Sequence, residues 1–232
     1  PHLSDRRQRQ MCIRDRCARQ MRKSVDIPVT IKCRTGVDDN DDYEFLKTFI
    51  NTVKDSGVKT FIVHARKGLL KGLSPRQNRN IPPLNHQKVY SLKEDFPELE
   101  IIINGGIKTI SETKNHLNYV DGVMLGRAAY DNPFMLSNID SEVFSDTKIE
   151  ISRKDLLNEY LDYVHLMTKK GYDPKIMLKH IFGLKKGEKD AKRFRVKVAE
   201  IMNSSKLVEN KDELLSMVCL LYTSDAADDL RG

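Results

Sequence analysis

No stretch of the 232-residue chain approaches the roughly 20 consecutive apolar residues of a membrane helix, and no secretory signal stands at its start. With 39% hydrophobic and 31% charged residues, the composition is that of a soluble globular protein large enough to bury a sizeable core. Cysteine is scarce. Cys12, Cys17, Cys33 and Cys219 sit at spacings that match no zinc, redox or disulfide template, so no metal site is expected and a reducing cytoplasm is the expected location. Acidic residues are outnumbered, 33 against 40 basic, and the net charge of +7 favours an acidic partner, nucleic acid among the candidates.

Lysine is absent from Pro1 to Gln20, which hold six arginines, whereas residues 21–220 hold nine arginines and twenty-four lysines. That shift in composition, with the stretches "MCIRDR" and "LYTSDAADD", looks like translated sequencing-adapter read-through. Residues 1–20 and 221–232 are therefore expected to be non-native. The alternative for the first stretch is a basic arm able to bind RNA.

Between the ends, four short apolar runs read as strands: "IPVTIKCR" (27–34), "TFIVHAR" (60–66), "EIIINGG" (100–106) and "DGVMLGR" (121–127). Helical patterns alternate with them. "YEFLKTFINTVKDSG" places Phe45, Leu46, Phe49, Ile50 and Val53 on one face; "HQKVYSLKEDFP" presents Val89, Leu92 and Phe96; "TISETKNHL" opens with Thr109 and Glu112 at capping-box spacing. Strand followed by helix, repeated, predicts a parallel sheet with helices outside, and the near-continuous apolar strands fit it.

Each run ends in polar residues or glycine: Lys32 and Arg34, His64 and Arg66, Asn104 with Gly105 and Gly106, Gly126 with Arg127. In a parallel α/β sheet those ends share one rim, where ligands bind. The double glycine and the "GRAAY" helix start are expected to offer main-chain N–H groups to a phosphate, although a plain tight turn also explains two glycines.

Beyond residue 150 only helical patterns follow: "RKDLLNEYLDYVHLMTKKG" with Ser152 and Asp155 at its start, "PKIMLKHIFGL" and "KDAKRFRVKVAEIM". Lys169 to Lys197 carries eleven Lys or Arg against three acids, the electrostatic footprint of a module that binds a phosphate backbone.

The runs "IPVTIKCRTGVDD", "IVHARKGLLKGLSPRQNRNIPPLN", "INGGIKT" and "DGVMLGRAAYDNP" closely resemble the tRNA-dihydrouridine synthases of the A subfamily, from about Met21 to Met202. The resemblance implies an α/β fold. It is the C-terminal half of a (β/α)8 TIM barrel, strands five to eight, over residues 21–140, followed by a small all-helical tRNA-binding domain over 148–215. It implies FMN as cofactor, NADPH as reductant and reduction of a D-loop uridine in tRNA to 5,6-dihydrouridine, with no further protein partner and no membrane. Position by position, the family's flavin contacts fall on Lys32, His64, Asn104, Gly105, Gly106, Gly126 and Arg127, and its tRNA contacts on Arg76, Arg79, Lys192 and Arg195.

One part is missing. The family's proton donor is a cysteine in an "N.GCP" motif after the fourth strand, and no such motif occurs here. By strand alternation Cys33 points away from Lys32 and Arg34 and does not substitute. The chain is thus expected to lack catalytic activity. Two other readings remain: a non-catalytic tRNA-binding fragment, and a dihydroorotate dehydrogenase-like flavoenzyme, which predicts no basic helical tail.

Overall fold

β1 (Ile31–Arg34) begins four residues later than the apolar run suggests. Pro28 has no N–H to give a ladder, and Ile27 is exposed. β2 (Thr60–His64), β3 (Glu100–Asn104) and β4 (Gly122–Met124) follow. The structure, a computed structural model, describes residues 3–144, 151–189 and 191–203. All four strands pair in parallel in the order β1-β2-β3-β4, as sequential strand–helix units require. The register sets Arg34, His64, Asn104 and Met124 level with one another at the C-terminal ends.

Burial alternates along the strands rather than covering both faces. Phe61, Val63, Ile101 and Ile103 are fully buried. They pack with Leu46, Phe49, Ile50 and Val53 of α2 (Tyr43–Lys54) and with Val89 and Leu92 of α3 (Gln87–Asp95). Each such side chain contributes about 1.5–3 kcal/mol by leaving water. The other face carries Lys32, Ile62, His64, Ile102, Asn104 and Met124, all retaining exposure. α2 and α3 lie on the first of these faces only, outside the sheet.

Local signals account for the helix starts. The Asp42 carboxylate accepts from Phe45 N at 2.7 Å and opens α2. Thr109 Oγ1 accepts from Glu112 N at 3.1 Å at the head of α4 (Ile110–Leu117), while Glu112 Oε2 reaches back to Lys108 N at 2.6 Å, one residue before the cap itself. Phe45, expected on the buried face of α2, is only half-buried.

α1 (Leu3–Ser24) runs through residue 20 without a break. Ala18 is buried in the core cluster of the sheet, and Arg22 Nη1 donates to Ser56 O at 2.9 Å. The expected boundary at 20 therefore coincides with no structural boundary. The tail 221–232 and the expected end of the helical domain at 215 lie outside the described residues.

The chain divides into two compact units between Gly126 and Arg127, earlier than the expected limit at 140. The second unit opens with α5 (Arg127–Asp131), a 3-10 turn (Pro133–Asn138) and α6 (Ile139–Val143). Then come α7 (Arg153–Lys169), α8 (Pro174–Leu178), a 3-10 turn (Lys179–Ile181) and α9 (Ala191–Asn203). Ser152 Oγ accepts from Asp155 N at 3.1 Å to start α7. Leu157, Leu161 and Val164 of α7 meet Phe194, Val198 and Ile201 of α9, with Phe134 against this core. That last contact explains why residues 127–144 belong with the helices. The expected helix "PKIMLKHIFGL" is one short α-turn passing into 3-10 geometry.

Candidate functional site

Asn104 ties β3 to β1 and to β4 near the strand ends. Lys32 Nζ donates to Asn104 Oδ1 at 3.1 Å, and Asn104 Nδ2 donates to Met124 O at 2.7 Å. Partial burial pulls the Lys32 ammonium below the usual lysine range, and Arg34 nearby adds to the fall while Cys33 opposes it. His64 stands at the end of β2, beside the turn formed by the glycine pair.

Gly105 and Gly106 have φ of 113° and 80°, a region that favours glycine. A Cβ on Gly105 would lie 2.8 Å from His64 Cδ2, and one on Gly106 would lie 2.4 Å from Leu84 Cδ1. Backbone conformation and the close approach of His64 and Leu84 thus suffice to require both glycines. Gly106 is exposed, so its main chain remains open to a ligand.

Two residues that pattern reading passed over hold this turn. Leu84 fills the space above the glycines, and His86 Nε2 donates to Gly105 O at 3.0 Å. A carbonyl only accepts, which fixes that ring nitrogen as the protonated one. The His86 ring meets His116 edge-on, centroids 4.7 Å apart, and His116 Nδ1 pairs with Tyr90 OH at 2.6 Å. Burial lowers the His116 pKa, with His86 adding to the fall and Glu112 opposing it. Nothing in the local sequence announces this cluster, because its members come from α3, α4 and the β3 turn.

The loop after β2 is organised by Asn78 and Arg34. Asn78 accepts from Leu69 N at 2.8 Å and donates to Leu69 O at 2.7 Å. Arg34 Nη1 donates to Lys67 O at 2.9 Å and Asn78 O at 3.0 Å. Burial depresses the Arg34 pKa first, and the charges of Arg79 and Arg66 depress it further. Arg34, which the rim pattern flagged only as an ending, therefore anchors the loop that carries Arg76 and Arg79. Both of those are exposed around a 3-10 turn (Gln77–Arg79).

The expected residues thus fall into groups. Lys32, His64, Asn104, Gly105 and Gly106 come together at the ends of β1, β2 and β3. Arg76 and Arg79 share the loop. Gly126 closes the first unit, with nothing within 4 Å of a Cβ built on it, and Arg127 opens α5, whose length of five residues gives a weak dipole for an anion. Lys192 and Arg195 are exposed, three apart on α9. Cys33 is half-buried on the helix-covered face, with Ile31. Among the described residues there is no cluster of three or more metal-ligating side chains, and no helix is long and apolar enough to cross a membrane.

A rim of lysine and arginine on parallel strand ends, beside a positive-φ glycine turn, can bind an anionic ligand and stabilise negative charge that builds there. Comparison with known proteins gives the chain a family. The dihydrouridine synthase (Dus) family model matches residues 9–219. The chain is 44% identical over 184 residues to the tRNA-dihydrouridine(20/20a) synthase of Shewanella oneidensis, covering 79% of this chain and 55% of that protein. It is 43% identical over 186 residues to the enzyme of the same name from Vibrio cholerae, covering 79% and 57%. The enzyme of the same name from Shigella flexneri is 44% identical over 185 residues, covering 79% and 55%. The chain spans little more than half the length of these curated relatives. Matched over most of its length, it belongs to the dihydrouridine synthase family.

Proposed function

We infer that this chain forms the flavin-phosphate rim and the RNA-binding module of an FMN-dependent tRNA-dihydrouridine synthase that reduces a D-loop uridine with NADPH. The observation that carries the reading is the tied row Lys32–Asn104 beside His64 and the Gly105–Gly106 turn, on a sheet face that the unit's own helices leave uncovered. Four parallel strands in sequential order, with one face open, are what half of a (β/α)8 barrel presents when its inward side chains lack the facing layer.

The residues fit a flavin mononucleotide in charge. Lys32 is a cation whose hydrogen bond goes to a neutral amide, so its charge is available to an anionic ring edge. When bound, the flavin supplies the hydride; the chain binds, orients and screens charge. Lys32 and His64 stabilise negative charge at the ring edge, and the exposed Gly106 main chain serves the phosphate. Gly126 and Arg127 carry over as phosphate contacts by resemblance to the family alone. Arg76, Arg79, Lys192 and Arg195 serve the tRNA backbone. The proton at the uracil falls to a cysteine that this chain does not supply, since no "N.GCP" motif occurs in it.

Titrating FMN into the purified chain, with flavin fluorescence as readout, tests the rim. Saturable quenching that Lys32→Ala weakens at least about tenfold supports it, since a charged hydrogen-bonding partner contributes roughly 1.5–3 kcal/mol. An affinity indifferent to both Lys32→Ala and His64→Ala overturns the assignment.

A further inference from the structure

The helical unit contains an open pocket of about 290 Å³, at the small end of the range for single-ligand sites. Its wall carries Lys179, Lys186 and Arg195, with Asp131 as the acid, and Tyr130 and Phe182 as aromatic surface. The pocket depends on a close approach: a Cβ on Gly183 would lie 2.4 Å from Asp131 O, so the turn after the 3-10 segment sits directly on the end of α5.

Charge is distributed unevenly around this unit. Glu188 is taken by Arg153 at 2.7 Å and by Lys185 at 3.4 Å. Glu200 pairs with Lys197, Asp155 accepts from the Ser152 hydroxyl, and the Asp173 carboxylate accepts from Lys175 N. Lys179, Lys186 and Arg195 make no ion pair or side-chain hydrogen bond within the described residues. Three cations around one cavity repel one another, and an arrangement of this kind is stabilised by an anion placed between them. Tyr130 is 55% exposed and its ring meets His180 edge-on at 5.6 Å, which steadies the ring while leaving area free. An exposed, steadied aromatic beside a cationic pocket is the pairing that single-stranded nucleic acid uses, the ring for a base and the cations for its phosphate. Asp131 would only repel a bare phosphate. Its presence fits a ligand that also brings a donor, such as the ribose 2′-hydroxyl.

We propose that this pocket is a single-nucleotide subsite for unpaired RNA, holding one phosphodiester between Lys179, Lys186 and Arg195, with the base on Tyr130 and the ribose 2′-hydroxyl donating to Asp131. The subsite rests on the reading of the helical unit as an RNA-binding module and adds a second determinant to it. Lys192, outside the pocket wall, contributes charge alone, whereas the pocket selects unpaired RNA over duplex and over DNA.

Fluorescence anisotropy on the full chain tests the subsite, with labelled tRNA, a short single-stranded RNA, its DNA equivalent and a duplex RNA as probes. Lys179→Gln with Lys186→Gln is expected to reduce the salt slope for the single strand by roughly 0.7 for each phosphate charge no longer neutralised. Tyr130→Ala is expected to weaken the single strand at least about fivefold while Tyr130→Phe leaves it unchanged. Asp131→Ala narrows the preference for RNA over DNA. All four positions are exposed, so circular dichroism should be unchanged. If wild type binds no tRNA, the RNA-binding reading itself fails. If wild type binds tRNA and the variants keep wild-type affinity, slope and RNA preference, the subsite alone is overturned.

Discussion

Lys32 and Asn104 join β1 to β3 across the intervening β2, Nζ to Oδ1 at 3.1 Å. Asn104 passes the link to β4 through Met124 O. One amide side chain therefore orients the cation of the rim and satisfies a strand-end carbonyl at once. Asn104→Leu removes both bonds at similar volume. The expected cost is about 1–2 kcal/mol in urea unfolding, with weaker FMN binding. Unchanged stability and FMN affinity would show that Lys32 is placed by other contacts.

The glycine turn gives a prediction that separates backbone strain from crowding. Gly106→Ala meets both a φ of 80° and Leu84 Cδ1. A left-handed alanine costs about 1–2 kcal/mol, and the clash adds to it. Leu84→Ala in the same chain should recover the clash component only, so a double-mutant cycle is expected to show coupling of about 0.5 kcal/mol or more. Strict additivity would place the whole cost in the backbone.

His86 pins Gly105 through its carbonyl, and this is testable without touching the ligand rim. His86→Gln, which can still donate, should retain FMN affinity, whereas His86→Leu should weaken it through a loosened turn. Equal affinities for the two variants would show that His86 does not hold the turn in its binding geometry.

His116 gives a pH dependence. Burial lowers its pKa below the ordinary value of 6.5, so the folded state favours the neutral ring and the unfolded chain binds the proton more readily. Its contribution is fully present above about 6.5 and is lost as pH falls through the folded value. Urea midpoints should decline on acidification below that point, and His116→Phe should flatten the decline. An identical profile in the variant would assign the acid sensitivity elsewhere.

The parts of the fold that depend on neighbouring residues were legible in sequence. β-branched or aliphatic runs marked all four strands, and Thr109 and Ser152 cap where their spacing indicated. What pattern reading missed depends on partners far along the chain. Pro28 and exposed Ile27 shorten β1, which hydrophobicity alone does not reveal. The rim residues Lys32, His64 and Asn104 could be placed because parallel topology puts strand ends together. Leu84 and His86 could not, because what they do is set by contact with a turn some twenty residues later. The glycine pair was legible as special; that the side chains of His64 and Leu84 approach it was not.

The most direct test is a dihydrouridine assay by mass spectrometry on the full chain with FMN, NADPH and unmodified tRNA, in parallel with the same chain supplied with an upstream half bearing the cysteine loop. We expect tRNA and FMN binding without dihydrouridine in the first sample, and dihydrouridine in the second. Formation of dihydrouridine by the chain alone, at rates comparable with a full-length relative, would contradict this and require another proton donor within these residues.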